Sequence, residues 1–147
     1  MSKICVFAGT TEGRELVEFL SNQPVSVTAC VATEYGETLL PSAENLSVSA
    51  KRMTQEEMQF MMSEEDFDLV VDATHPYAAV VTENIAQACA NTGTEYLRLL
   101  REGNAAPEDA VFVPDVAGAV EFLNTTQGNI LLTTGSKELG KFTTVRD

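Results

Sequence analysis

One run limits the fold more than any other: Ile4-Cys5-Val6-Phe7-Ala8-Gly9-Thr10-Thr11-Glu12-Gly13-Arg14. Ile4 to Phe7 is a short apolar stretch suited to a buried strand. Ala8-Gly9 permits a tight turn, and Thr10 and Thr11 can cap a helix that is expected to run to about Asn22. The first N–H groups of a helix lack internal partners and lie at the positive end of its dipole. Strand, glycine turn and helix start in that order therefore make an anion site, most often for phosphate. The dinucleotide fingerprint G-x-G-x-x-G is not met, because Gly9 and Gly13 enclose Thr-Thr-Glu. The glycines alone fit an ordinary strand–helix turn equally well. The hydroxyls of Thr10 and Thr11, able to donate to phosphate oxygens, add weight to the functional reading.

A chain of 147 residues, 44% of them hydrophobic, suits one α/β domain with a real core. No apolar run reaches the length of a membrane span, and Met1-Ser2-Lys3 opens into the first strand rather than a signal peptide. Cys5, Cys30 and Cys89 lie singly in apolar segments without metal spacing, which reads as buried thiols in a reducing cytoplasm. The net charge of −13 argues against nucleic acid and anionic membranes as partners. An anionic small molecule remains compatible if the nine Lys and Arg residues gather near its site.

Leu16, Val17, Phe19 and Leu20 are expected on the core face of the first helix, which Asn22-Gln23-Pro24 ends. Val25 to Val31 reads as a second strand. Its end, Ala32-Thr33-Glu34-Tyr35-Gly36, is where a dinucleotide fold meets the adenosine ribose. Thr33 rather than an acid at the immediate position leaves room for a 2′-phosphate. A helical turn over Glu37 to Leu40 and a third strand over Leu46 to Ala50 follow. Lys51-Arg52 then offers either a solvated pair or a clamp on a ribose phosphate. Thr54 and Glu57 form a capping box, ahead of core-facing Met58, Met61 and Met62.

Asp68 to Ala73 reads as a fourth strand running into Thr74-His75-Pro76-Tyr77-Ala78. Pro76 excludes His75 from helical geometry and can open the next helix, expected from about Ala78 to Asn91 with Gly93 as its C-cap. His75, the only histidine, and Tyr77 thus fall at the C-terminal edge of a central strand, where open α/β sheets bind ligands. A fifth strand is expected over Glu95 to Leu100, with Arg98 and Arg101 bracketing its end. A flexible stretch over 102–109, a sixth strand at Val111-Phe112-Val113 and a helix capped by Asp115 and running through Leu123 come next. Asn129 to Thr134 then reads as another strand, with a turn at Gly135-Ser136-Lys137 and a helix from Glu138 to Phe142. That looks like the opening of a second domain, so the expected division is 1–126 and 127–147, with the chain a truncated one.

Several of these stretches together resemble the precorrin-6A and cobalt-precorrin-6A reductases of corrin-ring biosynthesis. They are Gly9 to Arg14, Ala32 to Gly36, Asp72 to Ala78, Tyr96-Leu97-Arg98 with Arg101, and Thr133 to Lys137. Lys51 stands before Arg52 where that family usually has glycine. The resemblance implies a Rossmann-like, open, mostly parallel sheet with helices on both faces. It implies reduction of a tetrapyrrole with NADPH, NADH being the alternative. Gly9, Thr10, Thr11 and Arg14 would hold the pyrophosphate, and Thr33 and Arg52 would lie near the ribose phosphate. His75 and Tyr77 would face the nicotinamide or the macrocycle, and Arg98, Arg101 and Lys137 would meet the substrate's carboxylates. Two rival readings are a non-catalytic nucleotide-binding module and an α/β domain without a ligand. An exposed apolar strand over 129–134 would also invite self-association.

Overall fold

The computed structural model describes residues 1–101, 103 and 106–146. The chain divides into two compact units, 1–102 and 103–147.

The first unit is built on β1 (Lys3–Ala8), the middle strand of a five-stranded sheet. β2 (Ser26–Val31) and β4 (Leu69–Ala73) flank it, and β3 (Leu46–Ala50) and β5 (Glu95–Arg98) form the edges. The order β3-β2-β1-β4-β5 is parallel at every pairing, so each connection must cross over. Successive side chains of a strand point to opposite faces. Cys5 and Phe7 therefore enter one core layer with Met58, Met62, Val70 and Ile85, while Val6 and Ala8 enter the other with Val17, Leu20 and Val27. β1 is buried on both faces, which is why it reads as a continuous apolar run rather than an alternating one.

α1 (Thr11–Ser21) covers one face and α3 (Gln55–Glu65) and α4 (Ala79–Thr92) the other. Burial of Val17 and Leu20 contributes on the order of 1.5–3 kcal/mol each. Phe19 does not belong to that face. Gly13, Val17 and Leu20 share a stripe at i, i+4, i+7, and Phe19 falls off it and stays 61% exposed. The capping box at Thr54 and Glu57 forms, and Gly93 ends α4 at φ 73°. α4 starts later than expected: the Ala78 N–H closes a turn onto the His75 carbonyl at 2.9 Å, with Pro76 at its second position. α2 (Glu34–Thr38) starts earlier than expected, because the Thr33 hydroxyl caps it through the Gly36 N–H.

The second unit holds α5 (Val116–Leu123), capped by Asp115, and a 3-10 helix over Ser136–Thr144. Its described residues include no buried side chain. The strands expected at 111–113 and 129–134 do not form. Strand propensity needs a neighbouring ladder to satisfy the backbone, and neither segment is part of the sheet. The stretch 102–109 includes residues outside the described set.

Candidate functional site

β1 and β4 are neighbours, but their connections leave in opposite directions, α1 towards β2 and α4 towards β5. That is the switch point of an open sheet, where a crevice opens beyond the strand ends. A cleft of about 530 Å³ lies there. It is lined by Ala8 to Glu12 and Arg14, by Val31 to Thr33 with Tyr35 and Gly36, by Thr74 to Pro76, and by Leu99 to Arg101. The size falls within the range of about 300–1,000 Å³ usual for small-molecule sites.

The floor is tied together by one carbonyl. Ala73 O accepts the Gly9 N–H at 3.3 Å and the Thr10 hydroxyl at 2.8 Å. Thr10 Oγ1 in turn accepts the Gly13 N–H at 3.1 Å and caps α1. Its only proton is thus spent on Ala73, which corrects the expectation that it donates to phosphate. Thr11 differs: its oxygen accepts from Arg14 Nη2 at 3.2 Å, and its proton stays available. Gly13 is needed for close packing, since a Cβ there would sit 3.0 Å from both Ala73 Cβ and Ala8 Cα. At Gly9 the same construction meets Thr74 Cα only at 3.5 Å, an ordinary contact.

At the rim, Arg101 Nε donates to Glu12 Oε1 at 2.5 Å. The Arg101 guanidinium and the backbone N–H at Glu12 hold the Glu12 carboxyl below its usual range. Cations Arg14 and Arg101 against the anion Glu12 leave the cleft lining with one net positive charge. With the Gly13 N–H on Thr10, the Glu12 N–H on its own carboxyl and the Arg14 N–H on the Thr10 carbonyl, the Thr11 N–H at the α1 N-terminus, the Thr11 hydroxyl and these two guanidinium groups form a donor set that fits a pyrophosphate.

His75 lines the cleft. Its Nδ1 accepts the Tyr77 N–H at 3.2 Å, so the neutral ring carries its proton on Nε2. The Tyr77 ring stands 5.2 Å from the His75 ring, tilted by 52°, but Tyr77 is 91% exposed and does not line the cleft. Thr33 lines the cleft and caps α2. Arg52 is exposed and outside the lining, while its neighbour Lys51 pairs with Glu57 at 3.3 Å. Arg98 is not brought to the cleft wall. Its guanidinium is paired with the buried Asp72 carboxylate and donates to Thr74 Oγ1 at 2.9 Å. Lys137 belongs to the second unit and is exposed.

The family model for precorrin-6x reductase CbiJ/CobK matches residues 3–147. The chain belongs to that family. It is 35% identical over 141 residues to the cobalt-precorrin-6A reductase of Priestia megaterium, covering 95% of this chain and 55% of that protein. The Methanothermobacter thermautotrophicus protein of the same name is 36% identical over 99 residues, covering 67% of this chain and 33% of the relative. A solved structure titled CobK precorrin-6A reductase superposes with TM-score 0.67 at 30% identity, over 82% of this chain and 48% of that chain. The chain thus spans about half the length, or less, of these relatives. A putative epimerase of Bacteroides thetaiotaomicron, 21% identical with TM-score 0.54 over 66% of this chain and 45% of that chain, shares the fold alone.

Sequence reasoning passed over two site features of this precorrin-6x reductase relative. One is the Glu12–Arg101 pair, which joins residues 89 apart in the chain. The other is Asp72, whose signal was a carboxylate inside a buried strand with an arginine 26 residues later. Such a group must find a partner, because an unpaired buried charge is too costly. Its neighbours feel it: burial and the Asp72 charge push the Tyr96 hydroxyl up to about 12 and the Cys89 thiol up to about 11. The Cys5 thiol is raised as well, by its contact with Cys30 and by burial. Among the described residues, no helix is long and apolar enough to cross a membrane.

Proposed function

We propose that this chain carries the nicotinamide-dinucleotide half of a reductase acting on a precorrin-6A or cobalt-precorrin-6A macrocycle. The observation that supports it most is the cleft at the β1–β4 switch point, where anion donors and His75 meet. When bound, the dinucleotide supplies a hydride to one carbon of the tetrapyrrole, and a proton goes to the adjacent carbon. The residues of this chain bind and orient. The positive end of α1 with the Thr11 N–H, the Thr11 hydroxyl and Arg14 would hold the pyrophosphate, with Gly9 and Thr10 shaping the turn. Thr33 lies at the ribose end, and Arg52 is the candidate for a 2′-phosphate and hence for NADPH over NADH.

His75 is the candidate nearest the reacting carbons, with the Tyr77 ring tilted against it. In its neutral form it donates a hydrogen bond through Nε2. To deliver a full proton the ring must be doubly protonated, and the Nδ1 bond from the Tyr77 amide is then lost. An enzyme with His75→Ala that keeps near-normal turnover would leave His75 an orienting role only. Arg101 and Lys137 are read as contacts for the substrate's carboxylates.

The proposed cofactor domain over 1–126 and second-domain opening over 127–147 place the boundary elsewhere than the compact-unit division at 102/103, which groups α5 with the 3-10 helix. Self-association through 129–134 would appear as a dimer mass in light scattering at high concentration; a monomer mass removes it. Solution in the cytoplasm completes the reading.

The deciding experiment is a thermal-shift titration with NADPH and NADH in parallel. A ligand that binds only the native state stabilises it by about 2.7 kcal/mol at a hundredfold excess over Kd. A rise in melting temperature with at least one dinucleotide is expected. No shift with either would overturn the assignment of the cleft.

A further inference from the structure

Among the described residues, Asp72 is the charged side chain that is buried, with none of its surface exposed. It sits near the end of β4, opposite Arg98 in the β4–β5 ladder and opposite Phe7 in the β4–β1 ladder. Placing an ion pair there is costly, and a well-packed apolar pair would serve stability as well or better. Another role has to account for it, and the partners show which.

Oδ1 of Asp72 accepts the Thr74 N–H at 2.9 Å and the Thr74 hydroxyl at 2.7 Å, and it pairs with Arg98 Nη1. Oδ2 accepts the Tyr96 hydroxyl at 3.1 Å. Arg98 Nη1 also donates to Thr74 Oγ1 at 2.9 Å, and its side chain is only 18% exposed. Since the Thr74 proton goes to Asp72, the remaining contact at 3.2 Å is a donation from the Thr82 hydroxyl to Thr74. Asp72, Arg98 and Thr82 all bond to one residue, Thr74, the first after β4, and Tyr96 holds the other oxygen of Asp72.

Thr74 lies between the two halves of the cleft. Before it, the Ala73 carbonyl receives the Gly9 amide and the Thr10 hydroxyl. After it comes His75. On its side, Thr74 Cα lies 3.5 Å from the position a Cβ on Gly9 would take. Fixing Thr74 therefore fixes the α1 cradle and the histidine relative to each other.

We infer that Asp72 and Arg98 are positioning residues of the nucleotide site, holding the segment 73–76 at the end of β4 so that the cradle at Gly9–Thr10 and His75 share one geometry. This rests on the dinucleotide reading of the cleft. It assigns Arg98 to the protein's own carboxylate rather than to an anionic substrate, so its loss is felt by the nucleotide.

The test uses the full chain with four variants. Arg98→Met leaves Asp72 buried and unpaired, and lowers both melting temperature and dinucleotide affinity. Asp72→Asn with Arg98→Met removes both charges. It is expected to recover the melting temperature yet to bind the dinucleotide roughly tenfold more weakly than the unaltered chain, the scale of coupling within one hydrogen-bond network. Arg98→Lys lies between. Tyr96→Phe keeps the ion pair and guards against a double variant that does not fold; a few-fold loss is expected.

His75 provides a readout independent of binding, because it is the chain's only histidine and its ring proton signals are unambiguous. Those signals are displaced in the double variant and, less, in Tyr96→Phe. Recovery of melting temperature together with full affinity and unmoved His75 signals would overturn the inference. An unaltered chain that binds neither NADPH nor NADH would sink the dinucleotide reading instead. The His75 signals would then decide alone whether the network holds the turn.

Discussion

The hydroxyl of Thr10 donates to the carbonyl of Ala73 at 2.8 Å across 63 residues of sequence. This bond joins the turn that leaves β1 to the end of β4, and it makes one cleft from two strand ends. Thr10 also caps α1. Thr10→Val is therefore expected to destabilise the chain by about 1–2 kcal/mol, while Thr10→Ser stays near the original. Chemical denaturation of the three chains checks it. Thr11→Ala should hardly change stability but should weaken dinucleotide binding, since the Thr11 proton is the one left free.

Gly13→Ala reverses the usual helix rule. In an open helix, alanine would gain up to about 1 kcal/mol over glycine. Here the new methyl lies 3.0 Å from Ala8 Cα, a backbone atom that cannot swing aside, and equally close to Ala73 Cβ. A net loss of about 1–3 kcal/mol is expected from overpacking, read as a lower melting temperature. Gain of stability would mean that α1 rides higher on the sheet than described.

The Glu12–Arg101 pair gives a pH signature. The folded-state pKa of Glu12 is depressed, so its stabilisation is present above the unfolded carboxyl value, about 4.3, and disappears as pH falls through the folded value. Glu12→Gln should be the less stable chain at neutral pH, and the gap should close on acidification. Added salt should narrow the gap at neutral pH as well, because the arginine is exposed. Unfolding curves of both chains across that range provide the check; a gap that widens in acid would contradict it.

On the proposed reading, the choice between NADPH and NADH rests with Arg52. It lies outside the cleft lining, so a 2′-phosphate contact would require it to reach in. If it does, Arg52→Ala loses about tenfold or more in NADPH affinity and nothing in NADH affinity, measured by calorimetry. Equal affinities of the unaltered chain for the two cofactors would free Arg52 of that role.

Much of the fold could be read from local pattern. The apolar run at Ile4–Phe7, the cap at Thr54, the C-cap at Gly93 and the cap at Asp115 all form where expected, because each is decided within a few residues. The strand at 129–134 shows where that reasoning stops: an apolar, β-branched run becomes a strand only beside another, and this one has no ladder. Phe19 shows the same for a helix face, since one position of rotation decides between core and solvent.

By itself the sequence determined the strand–turn–helix units, the parallel class of the sheet and the strand ends that carry Gly9, Thr33 and His75. Only the tertiary structure decided how those ends are used. It committed the Thr10 proton to Ala73, drew Arg98 onto Asp72 and set Arg101 against Glu12. The reason is physical: periodicity and capping are local, but a polar group's partner is chosen by whatever the fold places within about 3 Å of it, and in these pairs that partner is 26 to 89 residues away.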